Sequence, residues 1–318
     1  MERANNQFCA DAGGKYCPCH LAHSGDCIKC SLIRGEKVCE CKWQGVCIYN
    51  ELQHNKIVSV KERTELLCKI IERKEIEDNI YLIKMEIPKY LSRELSEPGA
   101  YVFLKDKDRE SPYFNAPISV MDIDEDNNIL ELVVIPRGIK TKPLVSKNEI
   151  IMKAPYFNGI FGIKEIKSNK NQKCVVILDG LSQVNSINVI KRLIRNDNEV
   201  EVFINEEDKR LEIVEEKIKN MGVSINLFNL KDSEDELINY IRNNNISFVY
   251  SCGLIYFNKY ILQLVDQIDE KIKFAIPNNN LICCGEGMCG ACTVRLNNCR
   301  IKTCKAQMNG RDFLSNLK

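Results

Sequence analysis

The sequence predicts a multidomain α+β protein, in which a small antiparallel β-barrel and a doubly wound α/β domain lie between two cysteine-rich segments. Three observations predict it. Eight of the 17 cysteines fall between Cys9 and Cys47 and six between Cys283 and Cys304, leaving Cys68, Cys174 and Cys252 for everything between. After the first cluster come short apolar runs bounded by turn residues, the signature of a small barrel. From about residue 172, strands alternate with helices, the signature of a parallel sheet covered on both faces.

Composition narrows the functional classes. A chain of 318 residues has room for about two domains of roughly 150 residues, and 44% hydrophobic residues can bury a core. With 45 Lys+Arg against 44 Asp+Glu the net charge is +1, so no basic field gathers nucleic acid or an anionic membrane. Met1 to Gln7 contain no apolar leader, and no apolar run approaches the roughly 18 residues of a membrane span. A cytoplasmic protein is expected, and in a reducing compartment clustered cysteines hold metal or carry electrons rather than form disulfides.

In chain order, residues 1–50 show no sustained periodicity and cannot build a core of their own, so a metal module is expected there. Residues 56–165 carry the barrel. Its strands are predicted at Ile57–Val60, Leu66–Ile71, Ile80–Ile87, Ala100–Leu104, Ile118–Val120 and Leu130–Ile135, with one helix over Lys89–Leu95. Residues 172–276 form the α/β domain. Its strands are predicted at Cys174–Leu178, Glu199–Ile204, Val223–Leu227, Ile246–Tyr250 and Lys271–Ala275, and its helices at Asp208–Met221, Asp232–Asn243 and Tyr256–Asp269, with another ending near Ile194. A nucleotide on such a sheet would lie at the loop after Leu178. Residues 277–318 make a final, metal-carrying subdomain.

That subdomain holds the most specific motif. Cys284, Cys289 and Cys292 have the C-x4-C-x2-C spacing of [2Fe-2S] sites, whose fourth thiolate comes from further along the chain. The interleaved Gly285, Gly287 and Gly290 suit a loop that must turn its backbone N–H groups toward inorganic sulfide. Cys304 is favoured as the fourth ligand because Cys299 reads as the tip of a hairpin. At the other end Cys17 and Cys19, Cys27 and Cys30, and Cys39 and Cys41 form C-x-C and C-x2-C pairs, with Cys47 following and Cys9, His20 and His23 in reserve. Short chelating pairs let a coreless peptide wrap a metal. Zinc and an iron–sulfur cluster both suit this module.

The order of barrel, doubly wound domain and carboxy-terminal C-G-x-G-x-C-G-x-C loop resembles the electron-transfer subunit of class 1B dihydroorotate dehydrogenases and its ferredoxin-reductase-like relatives, sulfide dehydrogenase-type subunits among them. The resemblance covers roughly residues 56–318. It implies a barrel that binds FAD, an α/β domain that binds a nicotinamide nucleotide, and a [2Fe-2S] cluster on Cys284, Cys289, Cys292 and Cys304 that passes single electrons to a partner subunit. The family's R-P-x-S flavin motif stands here as Ala116-Pro117-Ile118-Ser119, without its arginine clamp. A G-x-x-T-like turn, Gly138-Ile139-Lys140-Thr141, is expected to open a helix and receive the flavin phosphates. A third family loop appears as Ala154 to Phe161. On this basis Pro117, Ser119, Gly138, Lys140 and Thr141 are the expected FAD residues. The nucleotide turn, Leu178 to Asn185, keeps only Gly180 and adds Asp179, which argues against direct NAD(P)H oxidation. The expected function is therefore electron transfer within an oxidoreductase complex. A metal-binding assembly subunit that keeps the reductase fold with degenerate nucleotide sites is the alternative.

Overall fold

The computed structural model describes residues 8–54, 62–108, 115–232, 234–297 and 299–317. The amino-terminal segment carries strand β1 (Phe8–Cys9) and helices α1 (His20–His23) and α2 (Ile48–His54). Ala22, Cys27, Cys30 and Ile48 form its small core. The strand predicted at 57–60 lies outside the described residues.

Six strands then close a barrel: β2 (Glu65–Glu77), β3 (Ile80–Glu86), β4 (Tyr101–Asp106), β5 (Ala116–Asp124), β6 (Ile129–Val134) and β7 (Glu149–Tyr156). They pair in the order β2-β3-β6-β5-β4-β7, and helix α3 (Lys89–Leu95) lies where the sequence places it. Strand β7 was not anticipated, because Pro155 at its end reads as a turn. Closure supplies it: β7 pairs with both β2 and β4 and removes the two sheet edges at once. Side chains such as Ile83, Val102, Leu132 and Ile150 alternate inward and fill the barrel.

The chain continues through β8 (Ile160–Phe161) and α4 (Ile163–Ser168) into β9 (Lys173–Leu178), α5 (Ile187–Arg195), β10 (Glu199–Asn205), α6 (Glu212–Asn220), β11 (Ser224–Phe228), α7 (Glu234–Asn243), β12 (Phe248–Cys252), α8 (Ile255–Ile268) and β13 (Lys273–Pro277). The sheet order is β11-β10-β9-β12-β13-β8, parallel throughout except for β8. Residues Cys174 to Leu178 are all buried because both faces of β9 are covered: Val175 and Ile177 enter one core, Cys174, Val176 and Leu178 the other. The strand order reverses between β9 and β12, which makes the topological switch point. Helix α6 starts at Glu212, four residues later than expected, since residues before it are held as loop by Gln183.

Strands β14 (Thr293–Arg295), β15 (Arg300–Lys302) and β16 (Ala306–Gln307) and helix α9 (Gly310–Asn316) complete the chain. Strand β16 pairs with β1, so the two cysteine-rich ends share a sheet. Phe313 of α9 stacks on Phe161 with ring centroids 4.1 Å apart. Lys217 of α6 bridges to the barrel through Asp122 and Glu131, both at 2.8 Å. Among the described residues no helix is long and apolar enough to cross a membrane.

Candidate metal centre

The loop after β13 folds back over the end of the barrel, where Tyr101, Phe103 and Tyr156 form a buried aromatic bed against Ile282, Cys292 and Cys304. Tyr101 and Tyr156 are stacked at 5.2 Å and Phe103 meets Tyr156 edge-on at 4.9 Å. Gly285 touches this bed. Its φ is +70°, and a Cβ there would sit 2.5 Å from the Tyr156 ring and 2.7 Å from Phe103, so only glycine brings the loop this close. The hairpin of β14 and β15 has Cys292 just before it and Cys304 just after it, and pairing of Thr293 with Lys302 carries the chain back between them. As a result Cys292 Sγ and Cys304 Sγ lie 3.2 Å apart.

The four sequence-predicted thiols come together as two pairs, Cys284 with Cys289 and Cys292 with Cys304, joined by a Cys284–Cys304 contact. Among the described residues no three His, Cys, Asp or Glu side chains surround a common point as a single-ion site would have them. Two thiol pairs are instead what a cluster of two irons asks of its ligands. Two of the four thiols are disposed to ionise and two are not: hydrogen bonding from Cys304, helped by backbone N–H groups, holds Cys284 down to about 4 and Cys292 to about 6, while donating to those two pushes Cys304 well up and burial raises Cys289. The Glu286 N–H points at Cys284 Sγ from 3.3 Å. Cys292 and Cys304 are buried, whereas Cys289 is exposed, with exposed Met288 beside it. Cys299 packs into the α/β core and belongs to the hairpin.

Sequence reasoning missed what holds the loop in place. Arg63, Asp11, Glu286 and Lys305 form a buried ion cluster, with Arg63 Nη2–Asp11 Oδ1 and Arg63 Nη1–Glu286 Oε1 both 2.8 Å and Lys305 Nζ–Glu286 Oε2 2.7 Å. Burial opposes ionisation of Glu286, but Lys305 and Arg63 outweigh it and keep the carboxyl below its usual range. The Arg63 guanidinium lies 4.2 Å from the ring centroids of both Tyr16 and Tyr156. Asn158, in the third family-like loop, donates to the carbonyls of Thr303 and Ala306, on either side of Cys304. That loop therefore positions the fourth thiol. Only the location of Glu286 between two cysteines and of Lys305 beside a third could have marked these residues.

At the expected flavin face, Pro117 and Ser119 are half-buried on a strand whose next residues, Val120 to Ile123, are fully buried. A Cβ on Gly138 would meet nothing within 4 Å, so that turn is open. One departure is placed in the fold here and one expectation is corrected. Ala116 is packed in the barrel core, so the position that would carry the arginine clamp faces inward. The turn at Gly138 to Thr141 opens no α-helix: it leads into a four-residue 3-10 helix, Lys142–Val145, and the Gly138 N–H is taken by Thr141 Oγ1 at 3.2 Å. Lys140 and Thr141 are half-buried. At this face the Gly138 N–H is thus already engaged and Ala116 offers no charge to a pyrophosphate. A groove of about 840 Å³ between Phe8, Phe157, Ile163 and Met308 is lined by none of the four cluster-loop thiols and none of the expected FAD residues.

At the switch point, where a nucleotide would be expected, side chains are engaged with one another and with the backbone. Gln183, fully buried, donates to the carbonyls of Gly180 and Lys209 and accepts from the Leu211 N–H at 3.0 Å. Asp179 accepts from Asn205 at 2.8 Å, and burial pushes its carboxyl up. On the far side of the switch point, the Gly253 N–H donates to Asn258 Oδ1 at 3.0 Å. The N–H groups of Leu211 and Gly253 are therefore already spent within the protein.

The amino-terminal cysteines are divided between buried Cys19, Cys27 and Cys30, partly covered Cys9, Cys17 and Cys41, and exposed Cys39 and Cys47. Cys39 and Cys41 have their sulfurs 3.7 Å apart. Backbone N–H groups of Cys30 and Trp43 point at the sulfurs of Cys27 and Cys41, each from 3.4 Å.

No protein-family model matches the chain. In sequence it is similar, at 24% identity over 234 residues, to the electron transfer subunit of dihydroorotate dehydrogenase B (NAD(+)) of Bacillus cereus (strain G9842), covering 71% of this chain and 87% of that protein. The subunit of the same description from Bacillus mycoides (strain KBAB4) is 23% identical over the same shares. In structure, the chain is similar to one from an NADH-dependent reduced ferredoxin–NADP oxidoreductase, with a TM-score of 0.60 at 15% identity over 80% of this chain and 90% of that one. The barrel and α/β sheet thus share the ferredoxin-reductase-like fold.

Proposed function

We propose, for a chain with that fold and that sequence similarity, that it is the electron-transfer subunit of an oxidoreductase complex. The reading places a [2Fe-2S] cluster on Cys284, Cys289, Cys292 and Cys304, and the observation that carries it is the convergence of these four thiols as two pairs over an aromatic bed. When bound, such a cluster takes up and releases one electron at a time. The chain's own residues do the rest. Glycine at 285 lets the loop lie flat on Tyr156, the Glu286 N–H donates to the Cys284 sulfur, and Arg63 and Lys305 place positive charge beside the loop. Exposed Met288 and Cys289 form the face at which a partner protein would receive the electron.

FAD belongs to the same reading, held against Pro117 and Ser119 and near Gly138, Lys140 and Thr141. It supplies the conversion between electron pairs and single electrons. With the Leu211 and Gly253 N–H groups already bonded, the reading has electrons arriving from a partner rather than from NAD(P)H. The module formed by Cys17, Cys19, Cys27, Cys30, Cys39, Cys41 and Cys47 binds zinc or an iron–sulfur cluster. A second reading, a non-catalytic metal-binding assembly subunit, is favoured by the inward-facing Ala116 and by the engagement of Gln183 with Lys209 and Leu211 at the switch point.

Anaerobic purification with flavin, iron and acid-labile sulfide analysis tests the proposal. Flavin together with about two carboxy-terminal irons per chain is expected. Iron without flavin would move the assignment to the assembly subunit, and absence of iron would overturn both.

A further inference from the structure

Two tyrosines stack in the aromatic bed under the cluster loop, and their hydroxyls are treated differently. Tyr156 shares a hydrogen bond with Glu286. The Tyr101 hydroxyl, buried in a residue only 3% exposed, has no hydrogen-bond partner among the described residues. A buried phenol normally finds a partner, because an unpaired O–H forfeits the hydrogen bonds it made to water in the unfolded chain. Phenylalanine would fill the same space without that cost, as Phe103 does two residues along the same strand. The hydroxyl at position 101 therefore marks an acceptor that the polypeptide does not itself supply.

Strand pairing says where that acceptor lies. Tyr101 stands directly opposite Ser119 on β5 and Tyr156 on β7, so the three side chains share one face of the barrel wall. The cluster loop covers that face, and Tyr101 packs in one buried group with Ile282, Cys292 and Cys304. Burial, and after it the neighbouring Cys304 sulfur, pushes the Tyr101 phenol well above its ordinary value. The hydroxyl thus keeps its proton and has it to offer.

We propose that the Tyr101 hydroxyl donates a hydrogen bond to a sulfur on the Cys304 side of the [2Fe-2S] cluster and so raises the cluster's reduction potential. The inference rests on the cluster reading given under Proposed function and deepens it. Cluster sulfurs carry negative charge, and reduction adds one more. A donor aimed at them therefore stabilises the reduced state more than the oxidised state, the more so in a buried site. The Glu286 N–H already serves Cys284 in this way, and Tyr101 is the corresponding side-chain donor at the buried pair, Cys292 and Cys304. No proton moves: the electron enters the cluster and the hydroxyl keeps its hydrogen.

Tyr101→Phe keeps the ring and removes only the donor. Full-length wild type and variant, purified without oxygen, are compared by iron and acid-labile sulfide content, by redox titration of the cluster's electron paramagnetic resonance signal, and by resonance Raman spectra in ordinary and heavy water. The variant is expected to keep its iron and sulfide, to titrate at a more negative potential, and to show a smaller deuterium shift of its iron–sulfur stretching bands. Phe103→Leu, which disturbs the packing of the bed without removing a donor, is expected to keep the wild-type potential; an equal shift there would overturn the proposal. Unchanged cluster potential in Tyr101→Phe with iron retained would overturn it and leave the cluster reading standing. A shift confined to the flavin's potential would overturn it too, by giving the hydroxyl to the flavin. Loss of iron in Tyr101→Phe would overturn it by making the hydroxyl a requirement for assembly, and wild type without iron would overturn both the proposal and the reading beneath it.

Discussion

Arg63 Nη1 lies 2.8 Å from Glu286 Oε1 although 223 residues of chain separate them. Glu286 sits inside the candidate cluster loop, and Arg63 also holds Asp11 of the amino-terminal module. The contact locks together three parts of the chain that no local preference would bring into register. Buried ion pairs contribute little over an apolar replacement, yet removing one partner leaves an uncompensated buried charge and costs about 3–5 kcal/mol. Arg63→Ala is therefore expected to destabilise the protein by about that amount and to lower iron content, with Arg63→Lys intermediate. Urea unfolding and iron analysis check it; wild-type stability in Arg63→Ala would contradict it.

Gly285→Ala tests the aromatic bed. The added methyl would meet Tyr156 at 2.5 Å on a backbone with φ of +70°. The left-handed backbone alone costs an alanine roughly 1 kcal/mol, and the collision adds to it. Loss of the visible absorption of the cluster with an intact far-ultraviolet circular dichroism spectrum is expected. The control is Gly290→Ala. Gly290 shares the positive φ but has only Thr293 Oγ1, 3.9 Å away, near its missing Cβ, so a milder loss is expected.

Asp179 gives a pH signature. Burial raises its carboxyl above the ordinary value, so the folded state holds the proton more tightly than the unfolded state. Stability from this group is full below about pH 3.9, the unfolded value, and is lost as pH rises through the raised folded value. Asp179→Asn, which can still accept from Asn205, should be more stable than wild type at pH 7, and the difference should shrink at pH 4. Urea midpoints at the two pH values measure this; an equal difference at both would contradict it.

How much was legible in the sequence follows from the range of each interaction. Periodicity is local, so helix α3 and the strands from β9 to β13 could be read within a few residues, and the cysteine spacing of the loop could be read as a motif. Strand β7 and the contacts of Asn158 were not legible, because each is decided by partners far along the chain: β2 and β4 for the strand, Thr303 and Ala306 for the asparagine. The turn at Gly138 misled for a related reason. Its motif resembles a helix start, but Thr141 Oγ1 takes the Gly138 N–H and a 3-10 turn follows. Asp179 could be read as unhelpful to a phosphate, whereas the engagement of Gln183 depends on Lys209 and Leu211, brought near only by the fold.

The central claim is that four particular thiols hold a two-iron cluster, and the choice of Cys304 over Cys299 is its sharpest point. Cys304 lies 3.2 Å from Cys292, and Cys299 is packed in the α/β core. Iron and acid-labile sulfide per chain, measured side by side on anaerobically purified Cys304→Ala and Cys299→Ala, test it directly. Cys304→Ala is expected to lose about two irons and two sulfides while Cys299→Ala keeps them. Retention in Cys304→Ala with loss in Cys299→Ala would contradict it.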